Sequence, residues 1–197
     1  MSAASLAKTP AAVALLLATG MAATRFHHFG SAMHLPDASL AIFFLAGFYL
    51  RPALFLPAFL AEAALIDYIA IAHAGVSDWC VTPAYGFLIP TYASLWFAGR
   101  WYAARHQHHW RTLVALVGAL AIGTSLAFLI SNGSFYLFSD RFPNINWTEY
   151  ATRVARYFPP YALSTLMYVF FAAALHAVVV AVVATRPPPT TTPRNPQ

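Results

Sequence analysis

Charged side chains are scarce in this chain: Lys, Arg, Asp and Glu together make up 9% of its 197 residues. A soluble domain of this size carries about a quarter charged residues, so a surface wetted on all sides is excluded. The hydrophobic share of 60% and the long uncharged windows suit a hydrocarbon solvent instead. Carboxylates are rarest, six against eleven Lys and Arg, and the formal net charge is +5. That balance does not indicate nucleic acid, because the basic residues lie scattered at segment ends with no basic face or stacking motif. Positive-inside anchoring accounts for them. Cysteine occurs once, at Cys80, which excludes an intrachain disulfide, a CxxC redox pair and a Cys-rich metal site. No GxxxxGK[ST] run is present, so nucleotide hydrolysis by the usual P-loop is excluded. Neither a membrane-deep chain of acids nor a symmetric pair of broken helices marks a proton or sodium carrier. If the chain moves a solute, a partner supplies the energy.

What is present is a series of apolar segments at about 10–24, 37–50, 53–73, 83–101, 112–131 and 159–186. The first, after Lys8, reads as a signal peptide or as a first transmembrane helix, and charge topology favours the helix. The second stops at Arg51-Pro52, a charge followed by a helix breaker. The last opens near Pro159-Pro160, where proline suits a helix's first turn. Residues 1–185 are expected to form one six-helix transmembrane domain. Residues 186–197, RPPPTTTPRNPQ, form a Pro-rich tail too poor in apolar groups to pack. No internal repeat is found.

With the N-terminus inside, Lys8, Arg51, Arg100, Arg105, Arg111, Arg186 and Arg194 fall on the cytoplasmic side; Arg25, Arg141, Arg153 and Arg156 fall outside. Seven against four has the sign of the positive-inside rule and implies that both termini are cytoplasmic. The outer face then receives 27–37, 72–82 and a long loop at 132–158. The second segment, at about 14 residues, reaches roughly 21 Å and falls short of a ~30 Å hydrocarbon core. The stretch 28–36 is expected to fold inwards and leave a dished outer surface.

Cys80 lies at the dish, in GVSDWCVTPAYG (75–86). A lone cysteine in a membrane protein is commonly a small buried hydrophobe. A free thiol facing an oxidising compartment is a hazard unless it is used, and thiolates are nucleophiles and ligands for soft metals. His27 and His28 share that side, but their spacing suits interfacial filler better than a dedicated zinc site. His106, His108 and His109 sit among arginines on the inner side, where lipid headgroup contact is the plainer reading. Asp67, inside the third segment, is a costly intramembrane carboxylate near the dish; Glu62 lies deeper and reads as structural. Tyr85 starts the fourth segment and Arg153 precedes the sixth. Phe135, Tyr136, Phe138, Phe142, Trp147, Tyr150 and Tyr157 fit either an aromatic belt or the wall of a large flat ligand. Ala14, Ala18 and Ala22 form a small-xxx-small stripe that permits close helix approach.

The stretches RFHHFGSAMHLPDASLAIFFLAGFYLRPALF and WCVTPAYGFLIPTY resemble the BtuM family, cobalamin-specific substrate-binding (S) components of energy-coupling factor transporters. The likeness runs over essentially the whole chain. It implies a six-helix fold in the cytoplasmic membrane with a vitamin pocket open to the outside. Cys80 resembles the family's cobalt ligand, and His28, Asp67, Tyr85 and Arg153 match polar positions around the corrin. The Ala14/Ala18/Ala22 stripe is similar to the patch that meets the transmembrane coupling subunit, which works with ATPases. On this resemblance, a thiolate at an axial cobalt position weakens or removes cyanide from cyanocobalamin. Asp67 would accept hydrogen bonds from corrin amides, and Arg153 would donate to amide carbonyls or the nucleotide phosphate. Tyr85 would supply ring contact and a hydroxyl, and His28 an amide bond or the opposite axial position. The alternative from another class is a membrane-embedded cysteine enzyme of exosortase-like type using Cys80, Arg153 and a histidine. It needs a base within hydrogen-bond reach of the thiol.

Overall fold

The computed structural model describes residues 3–25, 35–107 and 109–184. His27, His28, His108 and the Pro-rich tail lie outside the described residues. The described residues are all-helical, with six α-helices among them: α1 (Ala3–Arg25), α2 (Ser39–Tyr49), α3 (Phe55–Ala74), α4 (Leu88–Ala103), α5 (Arg111–Phe138) and α6 (Trp147–Ala184). A short 3-10 turn, Pro83–Phe87, precedes α4. Three stretches, Phe55–Ala74, Arg111–Phe138 and Trp147–Val182, are long and apolar enough to cross a membrane. Their outward side chains include Ile122, Leu163 and Phe171, at 72%, 68% and 70% exposure. Such apolar surface is unfavourable in water and costs nothing against lipid tails.

The short helix organises the rest. α2 has 11 residues, eight of them buried, so it is apolar all round as a helix enclosed by others must be. Its start is held by Asp37, whose Oδ1 accepts from the Ser39 amide (2.9 Å) and hydroxyl (2.6 Å). Its first turn is tied to α1 where Thr24 Oγ1 accepts from the Ala38 amide (3.2 Å). The core gathers around it: Met21 of α1, Phe43 and Phe44 of α2, Leu95 and Trp96 of α4, Leu120 of α5 and Val169 of α6. Phe43 stacks on Tyr92 with centroids 4.3 Å apart.

α2 and α4 cross at two glycines. A Cβ on Gly47 would run into the Trp96 carbonyl, and one on Gly99 into the Phe44 carbonyl. Backbone meets backbone here, as in close helix crossings of membrane bundles.

Two boundaries differ from the sequence expectation. α5 runs on to Phe138, and α6 begins at Trp147, so most of 132–158 is helix and the connection shrinks to 139–146. The physical reason lies in N-W-T-E at 146–149. Asn146 Oδ1 accepts from the Glu149 amide (2.7 Å), satisfying one of the donors that a helix start leaves open. Asn146 is fixed in turn by Tyr136 of α5, whose hydroxyl accepts from its amide at 2.9 Å. Pro159 and Pro160 therefore lie inside α6 instead of opening it. The carbonyls of Ala155 and Arg156, four residues back, lose their usual amide donor.

Replacing Gly47 or Gly99 by alanine is expected to destabilise the bundle by roughly 1–3 kcal/mol or more, the range for overpacking a close contact. Gly86, with no atom near its virtual Cβ, serves as the control, and thermal unfolding in detergent reads the difference.

Candidate functional site

The helix ends sort into two groups. The C-terminal ends of α1 and α3 meet the N-terminal ends of α2 and α4, and one side chain joins all four helices. Arg25, the last residue of α1, is only 6% exposed. Its Nε donates to Asp67 Oδ1 at 2.7 Å and its Nη2 to Asp67 Oδ2 at 2.6 Å, a bidentate pair with α3. Nη1 donates to Ser39 of α2 at 3.0 Å and to the Tyr92 hydroxyl of α4 at 2.6 Å. Asp37 adds a second carboxylate 3.6 Å away. The planar fork of arginine suits such a hub; a lysine would offer a point charge.

Asp67 also accepts from the Tyr85 hydroxyl at 2.7 Å. Tyr85 stands on the 3-10 turn, so the carboxylate ties α1, α3 and that turn together. Beside this cluster is a cleft of about 30 Å³, lined by Arg25, Asp67, Tyr85, Ser77 and Cys80 among others. The structure thus brings together Cys80, Asp67 and Tyr85 of the expected site residues. Cys80 is half-buried, in the connection 75–82 that leads from α3 to the 3-10 turn. The connection is held by Gly75 and Val76 N–H to the Ala70 carbonyl (3.1 Å for Val76), Val81 N–H to the Asp78 carbonyl (2.8 Å), Trp79 N–H to Ser77 Oγ (3.2 Å) and Tyr85 N–H to the Thr82 carbonyl (2.8 Å).

Arg141 arrives at the same connection from the other side. Its guanidinium lies 4.1 Å from the Trp79 ring centre and Nη2 donates to the Trp79 carbonyl at 3.5 Å. Burial pushes the Cys80 thiol above its ordinary range, the Asp67 charge adds to the rise, and Arg141 opposes it.

Arg153 does not line this cleft. It lies against Phe142, Tyr157 and Tyr136, 4.4, 5.2 and 5.9 Å from the ring centres, with its Nε buried and without a hydrogen-bond partner among the described residues. The aromatic residues around it pack mainly on one another, Tyr136 with Phe142 and Tyr150, and Trp147 with Tyr150. On α1, Ala14 and Ala18 are half-buried and pack against the core, while Ala22 is exposed. Sequence reasoning passed over Arg25 and Arg141, counting both as outer charges. The available signal was the cost of ions in apolar segments: an arginine closing one run and a carboxylate inside another are natural partners.

Compared with known proteins, the chain matches no family model and no curated sequence. Among the described residues no group of three or more His, Cys, Asp or Glu could hold a metal ion. The cleft offers a metal one thiol and one carboxylate already engaged by Arg25 and Tyr85.

Two outcomes follow. Removing one partner of the pair, in Arg25→Leu or Asp67→Leu, should cost about 3–5 kcal/mol, whereas the double variant should cost much less than the sum; a double-mutant cycle on unfolding in detergent measures this. Alkylation of Cys80, unambiguous in a one-cysteine chain, proceeds through the thiolate. Its midpoint in pH should lie above that of a free thiol and move higher still in Arg141→Gln, which deletes the opposing charge.

Proposed function

We propose that this chain is a cobalamin-binding membrane protein that captures the corrinoid by bonding Cys80 to its cobalt. The supporting observation is the gathering of Cys80, Asp67, Tyr85 and Arg25 around one cleft at a single end of the bundle. The resemblance to the S components supplies the ligand. On this reading α1, α2 and α4 join the three long helices in a six-helix unit of the cytoplasmic membrane. Both termini face the cytoplasm, and the Cys80 end faces outwards.

A corrin brings four equatorial nitrogens and needs from the protein one axial donor, which is what this cleft supplies. About 30 Å³ admits a water-sized guest, so the macrocycle lies over the cleft's mouth, and the weakly tethered 75–82 connection moves to present the sulfur. Cobalt deprotonates the thiol as it binds, because a metal lowers the pKa of its ligand. With cyanocobalamin the step is a ligand substitution. The Co–S bond forms as the Co–CN bond breaks, and cyanide leaves with its electron pair and takes up the thiol's proton. No redox partner is needed. The amides of the corrin rim meet Tyr85 and the remaining lone pair of Asp67, while Arg153 stands further off against its aromatic neighbours. A coupling subunit with its ATPases would approach along α1, where Ala22 is the exposed member of the stripe.

The exosortase-like alternative is disfavoured by electrostatics. A cysteine nucleophile is activated by a neighbouring base or a lowered pKa, whereas Cys80 is pushed the other way. No imidazole lines the cleft among the described residues.

Absorbance spectroscopy tests the proposal. Purified protein mixed with cyanocobalamin should shift the corrin bands and release cyanide, and Cys80→Ala should do neither. An identical shift in Cys80→Ala would overturn the cobalt–sulfur bond. Absence of any corrin affinity in the wild type would overturn the function.

A further inference from the structure

The opposite end of the bundle holds a much larger space. A cavity of about 440 Å³ lies between α2, α4, α5 and α6, with Phe48, Tyr49, His106, Trp110, His176 and Val180 among its walls. That volume is in the range of ligand pockets, about 300–1,000 Å³. The walls are mostly apolar. Tyr49 and the Nδ1 of His176 are 3.0 Å apart, and Tyr102 and the Nδ1 of His106 are 2.9 Å apart. The His106 ring stands edge-on to Phe48, with centroids 5.3 Å apart.

Basic residues flank this cavity in sequence and have no carboxylate partner among the described residues. Arg105 and Arg111 are exposed, as is His109. Arg105 lies 4.1 Å from the Trp101 ring centre, and Arg111 lies 5.9 Å from that of Trp110, itself a wall residue. The six carboxylates of the chain stand at 37, 62, 67, 78, 140 and 149, none of them in this region of the sequence. Both ion pairs among the described residues belong to Arg25. An apolar hollow in a membrane-type bundle, bordered by unneutralised arginines and half-polar tryptophans, matches one kind of molecule.

We propose that this cavity is a binding site for an anionic glycerophospholipid, its acyl chain among Phe48, Val180 and Trp110 and its phosphate between Arg105 and Arg111. Two observations identify the ligand. The space is apolar where a chain would lie, and the arginines next to its walls in sequence are exposed and have no carboxylate partner among the described residues, as a phosphate requires. Neither depends on the corrin reading.

Native mass spectrometry of the full chain, exchanged into detergent with equal phosphatidylglycerol and phosphatidylcholine of the same chain length, tests this. The wild type should retain the anionic lipid on the order of tenfold over the zwitterionic one. The exposed double variant Arg105→Gln/Arg111→Gln should bring the two to parity. Ala177→Trp, filling the cavity from an exposed position of α6, should reduce retention of both, with helical circular dichroism showing that each variant is folded. Equal retention by the wild type, or a preference untouched by the arginine substitutions, would overturn the proposal. So would displacement of the lipid by millimolar glycerol phosphate, which would mark a headgroup site that needs no acyl chain.

Discussion

Four helices of this bundle converge on one guanidinium. Burying an arginine and a carboxylate costs several kcal/mol per ion, and their attraction offsets that only with good geometry and with the remaining donors engaged. Arg25 meets both conditions, through its two parallel bonds to Asp67 and its further bonds to Ser39 and Tyr92. The net contribution to stability of such a hub is small. Its contribution to uniqueness is larger, because any register shift of α1 against α3 strands an ion in an apolar medium. Position is therefore specified at the one end of the molecule where the chemistry gathers.

That specification reaches Cys80 through Asp67. The carboxylate fixes Tyr85 by a 2.7 Å bond, so α3 and the 3-10 turn form a stiff frame on either side of the 75–82 connection. The connection itself is held by short-range bonds and by the Arg141–Trp79 contact. A stiff frame carrying a lightly tethered segment is the usual physical arrangement for a local opening motion, since little buried contact is lost when the segment moves. The same design keeps α2 and its glycine crossing with α4 undisturbed.

The sequence made some of this legible and hid the rest for identifiable reasons. Helix content and the shortness of α2 could be read from apolar runs and from Arg51-Pro52. The proximity of Asp67, Cys80 and Tyr85 could be expected, because each lies at the same end of its segment. Arg25 was hidden by the convention that charges at segment ends face water. Its burial depends on a carboxylate 42 residues away, which no local pattern announces. The extent of α5 and α6 was misjudged because Pro159-Pro160 reads as a start signal, while the cap at Asn146 is a single hydrogen bond supported by a tyrosine from the preceding helix. Arg153 joins the expected site through the family resemblance; in the structure it lies against three aromatic rings and does not line the Cys80 cleft.

The environment of Cys80 also bears on how a single half-buried thiol persists unmodified. Oxidation of cysteine follows thiolate character and exposure. Burial and the Asp67 charge both favour the protonated form, so the sulfur is a poor target for oxidants and a poor nucleophile. A metal centre reverses that balance, because its positive charge stabilises the thiolate directly and outweighs one carboxylate held by Arg25 and Tyr85. On the corrinoid reading, the sulfur reacts near neutral pH chiefly with a partner that carries its own cation to it. On that reading, selectivity then resides less in the shape of a 30 Å³ cleft than in this condition, which a peptide or lipid electrophile does not meet.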